Sequence, residues 1–162
     1  MPFATADLSD HHGSEVQVAE PIFRSFGSHA RFRGAVYTLR VLNDNSLVRE
    51  ALEQPGLNRV LVVDGGGSLS CALVGDQLAD LAVRNGWAGI LVNGCIRDSR
   101  EISRLSVGIK ALNTHPRKSV KKGEGERNVG VTFAGVTFEP GHFVYSDEDG
   151  ILVSTRDYVG GK

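Results

Sequence analysis

Long apolar runs are missing from this chain, because charges or glycines interrupt every hydrophobic stretch before the roughly 18 residues a membrane span requires. An excess of charge of either sign is missing too. Eighteen Lys and Arg against nineteen Asp and Glu leave a formal net charge of −1. That removes the electrostatic case for a dedicated nucleic-acid binder, since phosphate recognition needs a clustered basic surplus. Cysteine is scarce, with only Cys71 and Cys95. A domain of this size without secretory features has little need of a disulfide, so both are read as reduced, packed thiols, with a nucleophilic role for Cys95 as the alternative. The opening MPFATADLSDHHG has acidic residues and no apolar h-region, unlike a secretory signal, and a cytoplasmic location is the expectation.

What remains is the composition of an ordinary globular domain, 41% hydrophobic and 23% charged over 162 residues. The length fits a single domain spanning 1–162, able to bury roughly 70% of its unfolded surface and too short for a separate cofactor-binding domain. Glycine is the exception, with 20 residues in the chain, well above an average usage of about 7%.

Periodicity predicts a strand over residues 34–41, where Ala35, Tyr37, Leu39 and Val41 share one side, and a helix over 47–54 stopped by Pro55-Gly56. Continuous apolar runs at 59–64 and 88–93 read as buried strands, joined by a helix over 76–85 with an apolar stripe of Leu78, Leu81, Ala82 and Val83. Together they make a parallel βαβ unit. A short helix from Ser99 leads to a third strand at 108–113. Four short strands follow at 129–133, 136–141, 142–146 and 151–155, with turns at Ala134-Gly135, Pro140-Gly141 and Asp149-Gly150. The fold class is therefore α/β, parallel in the middle and antiparallel at the end. Between the two parts, residues 114–128 hold Arg117, Lys118, Lys121, Lys122 and Arg127 against Glu124 and Glu126, five cations to two acids. A solvated mobile loop is the first reading of that segment, and reception of an anionic substrate or partner the second.

Several patterns fail as sites. Gly65-Gly66-Gly67 follows a strand, but Ser70 stands where a dinucleotide fingerprint needs its third glycine, and Gly66-Gly67-Ser68-Leu69-Ser70 is not a nucleophile elbow. Asp64 before that triplet is loosely similar to the acidic-glycine loop of methyltransferases that bind S-adenosylmethionine, although the chain is short for their fold. His11, His12, His29, His115 and His142 have no metal-site spacing. Asp147-Glu148-Asp149-Gly150 lacks the spaced ligands of a calcium loop and reads as a hairpin turn. Lys110, within an apolar strand, either forms a Schiff base with a carbonyl substrate or extends its ammonium to water from a strand edge.

The constellation that carries chemistry is Gly75-Asp76-Gln77-Leu78 together with Asn93-Gly94-Cys95-Ile96-Arg97-Asp98. The first segment is a glycine-opened helix start, whose free N–H groups and positive dipole end suit a carboxylate. The second follows the next parallel strand, so both fall at the carboxyl end of the sheet, where open α/β sheets bind ligands. Arg97 beside Asp98 pairs an anion clamp with a hard oxygen ligand for Mg²⁺ or Mn²⁺, as chemistry on a keto acid requires. The competing reading makes Asp76 an N-cap and Arg97-Asp98 an ordinary loop ion pair. Asp80 and Glu101 are close enough in sequence to support the site or to be plain surface charges.

Asp76, twenty intervening residues and then Arg97-Asp98, set within VLVVDGGGSLSCALVGDQLADLAVRNGWAGILVNGCIRDS, GIKALNTHPRKS, GVTFEPG and DEDGILVS, resembles the RraA-like family from about Asp7 to Ser154. That family unites a regulator of ribonuclease activity with divalent-metal-dependent 4-hydroxy-4-methyl-2-oxoglutarate aldolases. The resemblance implies a swivelling β/β/α domain, a trimer with sites between subunits, and an aldolase that yields two pyruvates and also decarboxylates oxaloacetate. It further implies that Asp98 binds the metal directly and Asp76 through water. Arg97 would bind the keto oxygen, and the backbone of Gly75, Asp76, Gln77 and Leu78 the carboxylate. Regulator members tend to lack the acid after the arginine, which here is present. Binding and inhibition of a ribonuclease is the alternative function, and a demethylmenaquinone methyltransferase, a label sometimes attached to the family, ranks third.

Overall fold

The computed structural model describes residues 2–159. In chain order the elements are α1 (Thr5–His12), a 3-10 turn (Gly13–Glu15), β1 (Val16–Val18), β2 (Arg24–Phe26), β3 (Phe32–Arg40), α2 (Ser46–Leu52), β4 (Val60–Asp64), β5 (Ala72–Val74) and α3 (Asp76–Arg84). They continue with β6 (Gly89–Ile96), α4 (Ser99–Ile102), β7 (Ile109–Thr114), β8 (Glu126–Arg127), β9 (Val131–Phe133), β10 (Val136–Phe138), β11 (Phe143–Ser146) and β12 (Ile151–Ser154).

One mixed sheet organises them in the order β1-β12-β11-β3-β4-β6-β7-β2, with β5 added to β6 and β8 to β3, while β9 and β10 form their own hairpin. The strands β3, β4, β6 and β7 are parallel neighbours, as the buried apolar runs require, and β11, β12, β1 and β2 extend them antiparallel at the two edges. Alternation within the parallel strands feeds two cores. Leu61 and Val63 of β4 and Ile90 and Val92 of β6 face the helices, with Val48, Leu52, Leu78, Ala82 and Ile102. Val60, Val62 and Leu91 face the opposite side, covered by Phe133, Val136 and Phe138 of the hairpin and by Val144 and Val153. Burial on both faces is why these segments carry no polar alternation. No helix among the described residues is long and apolar enough to cross a membrane.

Two expectations need correction, and one strand, β5, has no counterpart in the sequence reading. The strand expected at 88–93 runs on to Ile96. Asn93 still pairs with Asp64 of β4 while the register against β7 slips between Val92 and Cys95, so the strand passes Asn93-Gly94 through a bulge. The Asn93 amide donates to Asp64 Oδ1 at 3.0 Å, and a side chain on Gly94 would press within 3.2 Å of Leu73 Cδ1. The apolar run after Ser70 contains β5, which pairs with the far end of β6. Residues 114–128 are anchored rather than free. Ala72 donates to the Arg117 carbonyl and Val120 to that of Asn43, and β8 joins β3. The buried Asp44 carboxylate accepts from the N–H groups of Lys122 and Glu124, at 2.9 and 3.1 Å, and from Ser46. Burial pushes the Asp44 carboxyl up, but the Ser46 hydroxyl and N–H and the two loop N–H groups outweigh it and bring the pKa to about 2.

Candidate functional site

Segments that leave the carboxyl ends of β3, β5, β6 and β7 meet around a cavity of about 210 Å³. At ~30 Å³ per water molecule this is room for a small organic acid and some water, and less than drug-sized pockets occupy.

One wall is built by β6. Arg97 follows its last residue and its N–H is fixed to the Val74 carbonyl at 2.9 Å. Asp98 then turns into the left-handed region at φ 60, ψ 37, a conformation that Asp tolerates better than most residues. That turn aims its carboxylate at the start of α3, where Oδ2 accepts the Asp76 N–H at 3.0 Å. Gly75 has no side chain with which to cap the helix, so Asp98 supplies the cap from another strand. The close approach requires glycine: a Cβ on Gly75 would lie 2.7 Å from Asp98 Oδ2 and 3.6 Å from Arg97 Cγ and Nε. Beyond Asp76, Gln77 and Leu78 line the cavity at the positive end of α3, where the first N–H groups of a helix have no backbone acceptor, and the Gln77 N–H donates to the Asp76 carboxylate.

Electrostatically this wall is short of a cation. Burial raises the Asp76 pKa, the neighbouring Asp98 carboxylate raises it further by hydrogen bonding and by charge, and Glu101 adds a smaller push, against the lowering effect of the Gln77 N–H. Among the described residues no three His, Cys, Asp or Glu side chains group as a closed metal site. A pair of carboxylates beside a cavity with room for water instead fits an ion that keeps most of its ligands as water, such as Mg²⁺. Among the described residues Arg97 makes no ion pair; its Nη1 approaches the Pro116 carbonyl at 3.4 Å. Asp76 is the first residue of α3 and not its cap. Neither half of the competing structural reading is found.

The opposite wall was only partly legible. Asn45 and Arg49 come from the turn before α2 and from α2 itself, and Lys118, Ser119 and Lys121 from the anchored loop after β7. No spacing in the sequence joins Arg49 to these lysines. The available signal was a cationic loop directly after a parallel strand, at the same sheet end as Arg97.

Other candidates fall elsewhere. The Lys110 stem does not reach water: its ammonium is buried, donates to the Asp147 carbonyl at 2.7 Å, and borders a separate cavity with Phe23 and Ile151. Strand β7 is also no edge, since β2 covers it. Gly66 borders another recess beside Arg40 and Leu42, and the Gly65-Gly66-Gly67 turn is not part of the Asp98 cavity. Cys71 and Cys95 are free and buried, and burial pushes both thiols up, away from the reactive thiolate. Asp147 to Gly150 is the β11–β12 hairpin turn. Asp80 is engaged by Arg84 Nε at 2.8 Å on the outer face of α3, whereas Glu101 is near enough to act on Asp76.

The fold and this cavity define a class: a mixed α/β protein with an acid-and-arginine site at the carboxyl end of its parallel strands. The family model described as RraA-like, Aldolase/RraA, matches residues 5–153, and the chain belongs to the RraA-like family. A relative from Aromatoleum aromaticum (strain DSM 19018 / LMG 30748 / EbN1), provisionally named a 4-hydroxy-4-methyl-2-oxoglutarate aldolase, is 59% identical over 95% of this chain and 97% of its own. A solved structure from Geobacillus kaustophilus HTA426, described as an S-adenosylmethionine: 2-dimethylmenaquinone methyltransferase, is 48% identical with a TM-score of 0.94 over 99% of both chains. The RNA-processing inhibitor RraA from Thermus thermophilis is 46% identical with a TM-score of 0.94, over 100% of this chain and 98% of that one.

Proposed function

We propose that this protein is a divalent-cation-dependent carbon–carbon lyase that cleaves 4-hydroxy-4-methyl-2-oxoglutarate to two pyruvates and decarboxylates oxaloacetate. The observation that carries the reading is the convergence of Asp98 and Arg97 on the glycine-opened start of α3. In this reading the 1-carboxylate of the keto acid is held by the N–H groups of Gly75 to Leu78. Asp98 would hold Mg²⁺ or Mn²⁺ directly, and Asp76 would do so through water. In the aldol substrate the C4 hydroxyl gives up its proton and becomes the carbonyl of one pyruvate as the C3–C4 bond breaks; in oxaloacetate C4 leaves as CO2. In both, the electron pair of that bond passes to C3 and on to the C2 oxygen as an enolate, which becomes pyruvate by taking a proton at C3. Arg97 faces that oxygen and stabilises the charge as it develops, a role worth several kcal/mol in a cavity that limits water. The cation, when bound, supplies Lewis-acid stabilisation of the same oxygen. From the family resemblance alone we extend the reading to trimers with sites between subunits, which light scattering tests; the cytoplasmic location is carried over from the sequence expectation.

Pyruvate release from both substrates should require Mg²⁺ or Mn²⁺ and stop with chelator. Release that survives chelation and leaves a borohydride-trapped adduct on Lys110 would overturn the reading. A second reading, docking on and inhibition of a ribonuclease, is favoured by the likeness to the Thermus inhibitor. It gains if the protein turns over neither keto acid yet slows a ribonuclease. The methyltransferase reading is weakened by Asp64, whose Oδ1 already accepts from the Gly66 N–H of its own turn and from the Asn93 amide on β6.

A further inference from the structure

A second cavity, of about 300 Å³, lies by the amino end of β7, and no residue lines both it and the Asp98 cavity. Lys110 borders it. The chain's own packing leaves this residue 5% exposed, so its burial does not depend on what a neighbouring subunit covers. The ammonium donates to the Asp147 carbonyl at 2.7 Å, its one side-chain hydrogen bond among the described residues. An ammonium carries three donors, and the other two are left over. Lys110 also forms no ion pair among the described residues. The Asp147 carboxylate is taken up instead by the Thr5 N–H and hydroxyl and by the Asp149 N–H. Burial pulls the Lys110 pKa down, against smaller opposite effects of Asp147 and Glu148. A buried ammonium so placed is stabilised by an anion that brings acceptors to it.

The rest of the lining limits what that anion can be. Val18, Phe23 and Ile151 are apolar, while Glu20 and Asp149 bring negative charge; Glu148 is met by Arg31 at 3.6 Å. A simple anion is repelled by the two carboxylates, and a simple cation by Lys110. A molecule with both charges and an apolar body suits every part of the wall. We propose that this cavity binds a free α-amino acid with an apolar side chain, its carboxylate on Lys110, its ammonium toward Glu20 and Asp149, and its side chain against Val18, Phe23 and Ile151. At ~30 Å³ per water the volume matches about ten water molecules, room for leucine with its roughly nine non-hydrogen atoms. None of these residues takes part in the proposed lyase chemistry, so the two readings stand or fall separately.

Calorimetry on the full chain should show L-leucine binding once per chain with a Kd below about 1 mM. Isocaproate, which lacks the amino group, and isoamylamine, which lacks the carboxylate, should each bind at least about tenfold more weakly. Lys110→Met should weaken leucine at least about tenfold without weakening isoamylamine, and Asp149→Asn should weaken leucine a few-fold without weakening isocaproate. That crossed pattern separates lost contacts from a damaged fold, which would weaken every ligand alike. Pyruvate with Mg²⁺ should leave leucine in place. The site is overturned by an absence of saturable leucine binding, by an analogue that binds as tightly as leucine, or by a leucine affinity that survives Lys110→Met. Displacement of leucine by pyruvate also overturns it, because the ligand then lies in the Asp98 cavity. A protein that binds leucine in the crossed pattern and releases no pyruvate keeps this site and loses the proposed function.

Discussion

Two pairs of acids in this molecule sit in opposite circumstances. Asp44 and Asp147 are buried and saturated with donors: Asp147 accepts from the Thr5 N–H and hydroxyl, both at 2.7 Å, and from the Asp149 N–H at 3.0 Å. Burial raises the pKa of each, yet the donors outweigh it and both titrate low. Asp76 and Asp98 are less buried but face each other, and the Asp76 carboxyl is raised. The first pair completes structure, one pinning the cationic loop and the other tying the amino-terminal helix α1 to the β11–β12 hairpin. The second pair is left short of positive charge. A carboxylate already satisfied by the chain has little to offer a cation, and one left in want of charge beside a cavity is available for chemistry.

Substitution should break this contrast in graded steps. Asp98→Asn keeps an oxygen to cap α3 but removes the charge. Pyruvate release should fall on the order of 10²- to 10³-fold, as should that of Arg97→Ala, with melting temperatures nearly unchanged. Gly75→Ala places a methyl against Asp98 and should cost on the order of 10²-fold in rate by displacing it. Asp44→Ala should instead destabilise the fold by roughly 2 kcal/mol in urea titrations, and loosen the lysine loop. With a native pKa of about 2 against an ordinary 3.8, the stability Asp44 contributes is complete above about pH 4. It is lost as pH falls toward 2, so the gap between the two proteins should close there. Lys110→Met should have the smallest effect, with kcat and KM changed less than about twofold, because that ammonium serves the Asp147 carbonyl.

Much of this was legible from local pattern. Helix α3, strands β4 and β7 and the hairpin turn at Ala134-Gly135 follow from periodicity and turn chemistry; Ala134 and Gly135 both adopt positive φ there. The motif of Asp76, Arg97 and Asp98 was visible because its members flank elements that the pattern itself places. What stayed hidden depends on distant partners. Strands β1 and β2 have three residues each and exist by pairing with β12 and β7. The end of β6 was hidden because Asn93-Gly94 has the composition of a turn. Arg49 and the lysines of the 114–128 loop belong to the cavity only through contacts such as Asp44 to Glu124, 80 residues apart. The glycine triplet drew attention for its composition, yet it serves its own turn.

The central claim is that Asp76 and Asp98 form a cation site that works with Arg97 on a keto acid. Titration with Mn²⁺ followed by electron paramagnetic resonance tests it most directly. The unaltered protein and Lys110→Met should each bind one Mn²⁺ per chain, more tightly when pyruvate is present, and Asp98→Asn should bind it much more weakly with no response to pyruvate. Mn²⁺ binding that is the same with and without the Asp98 charge would contradict the account.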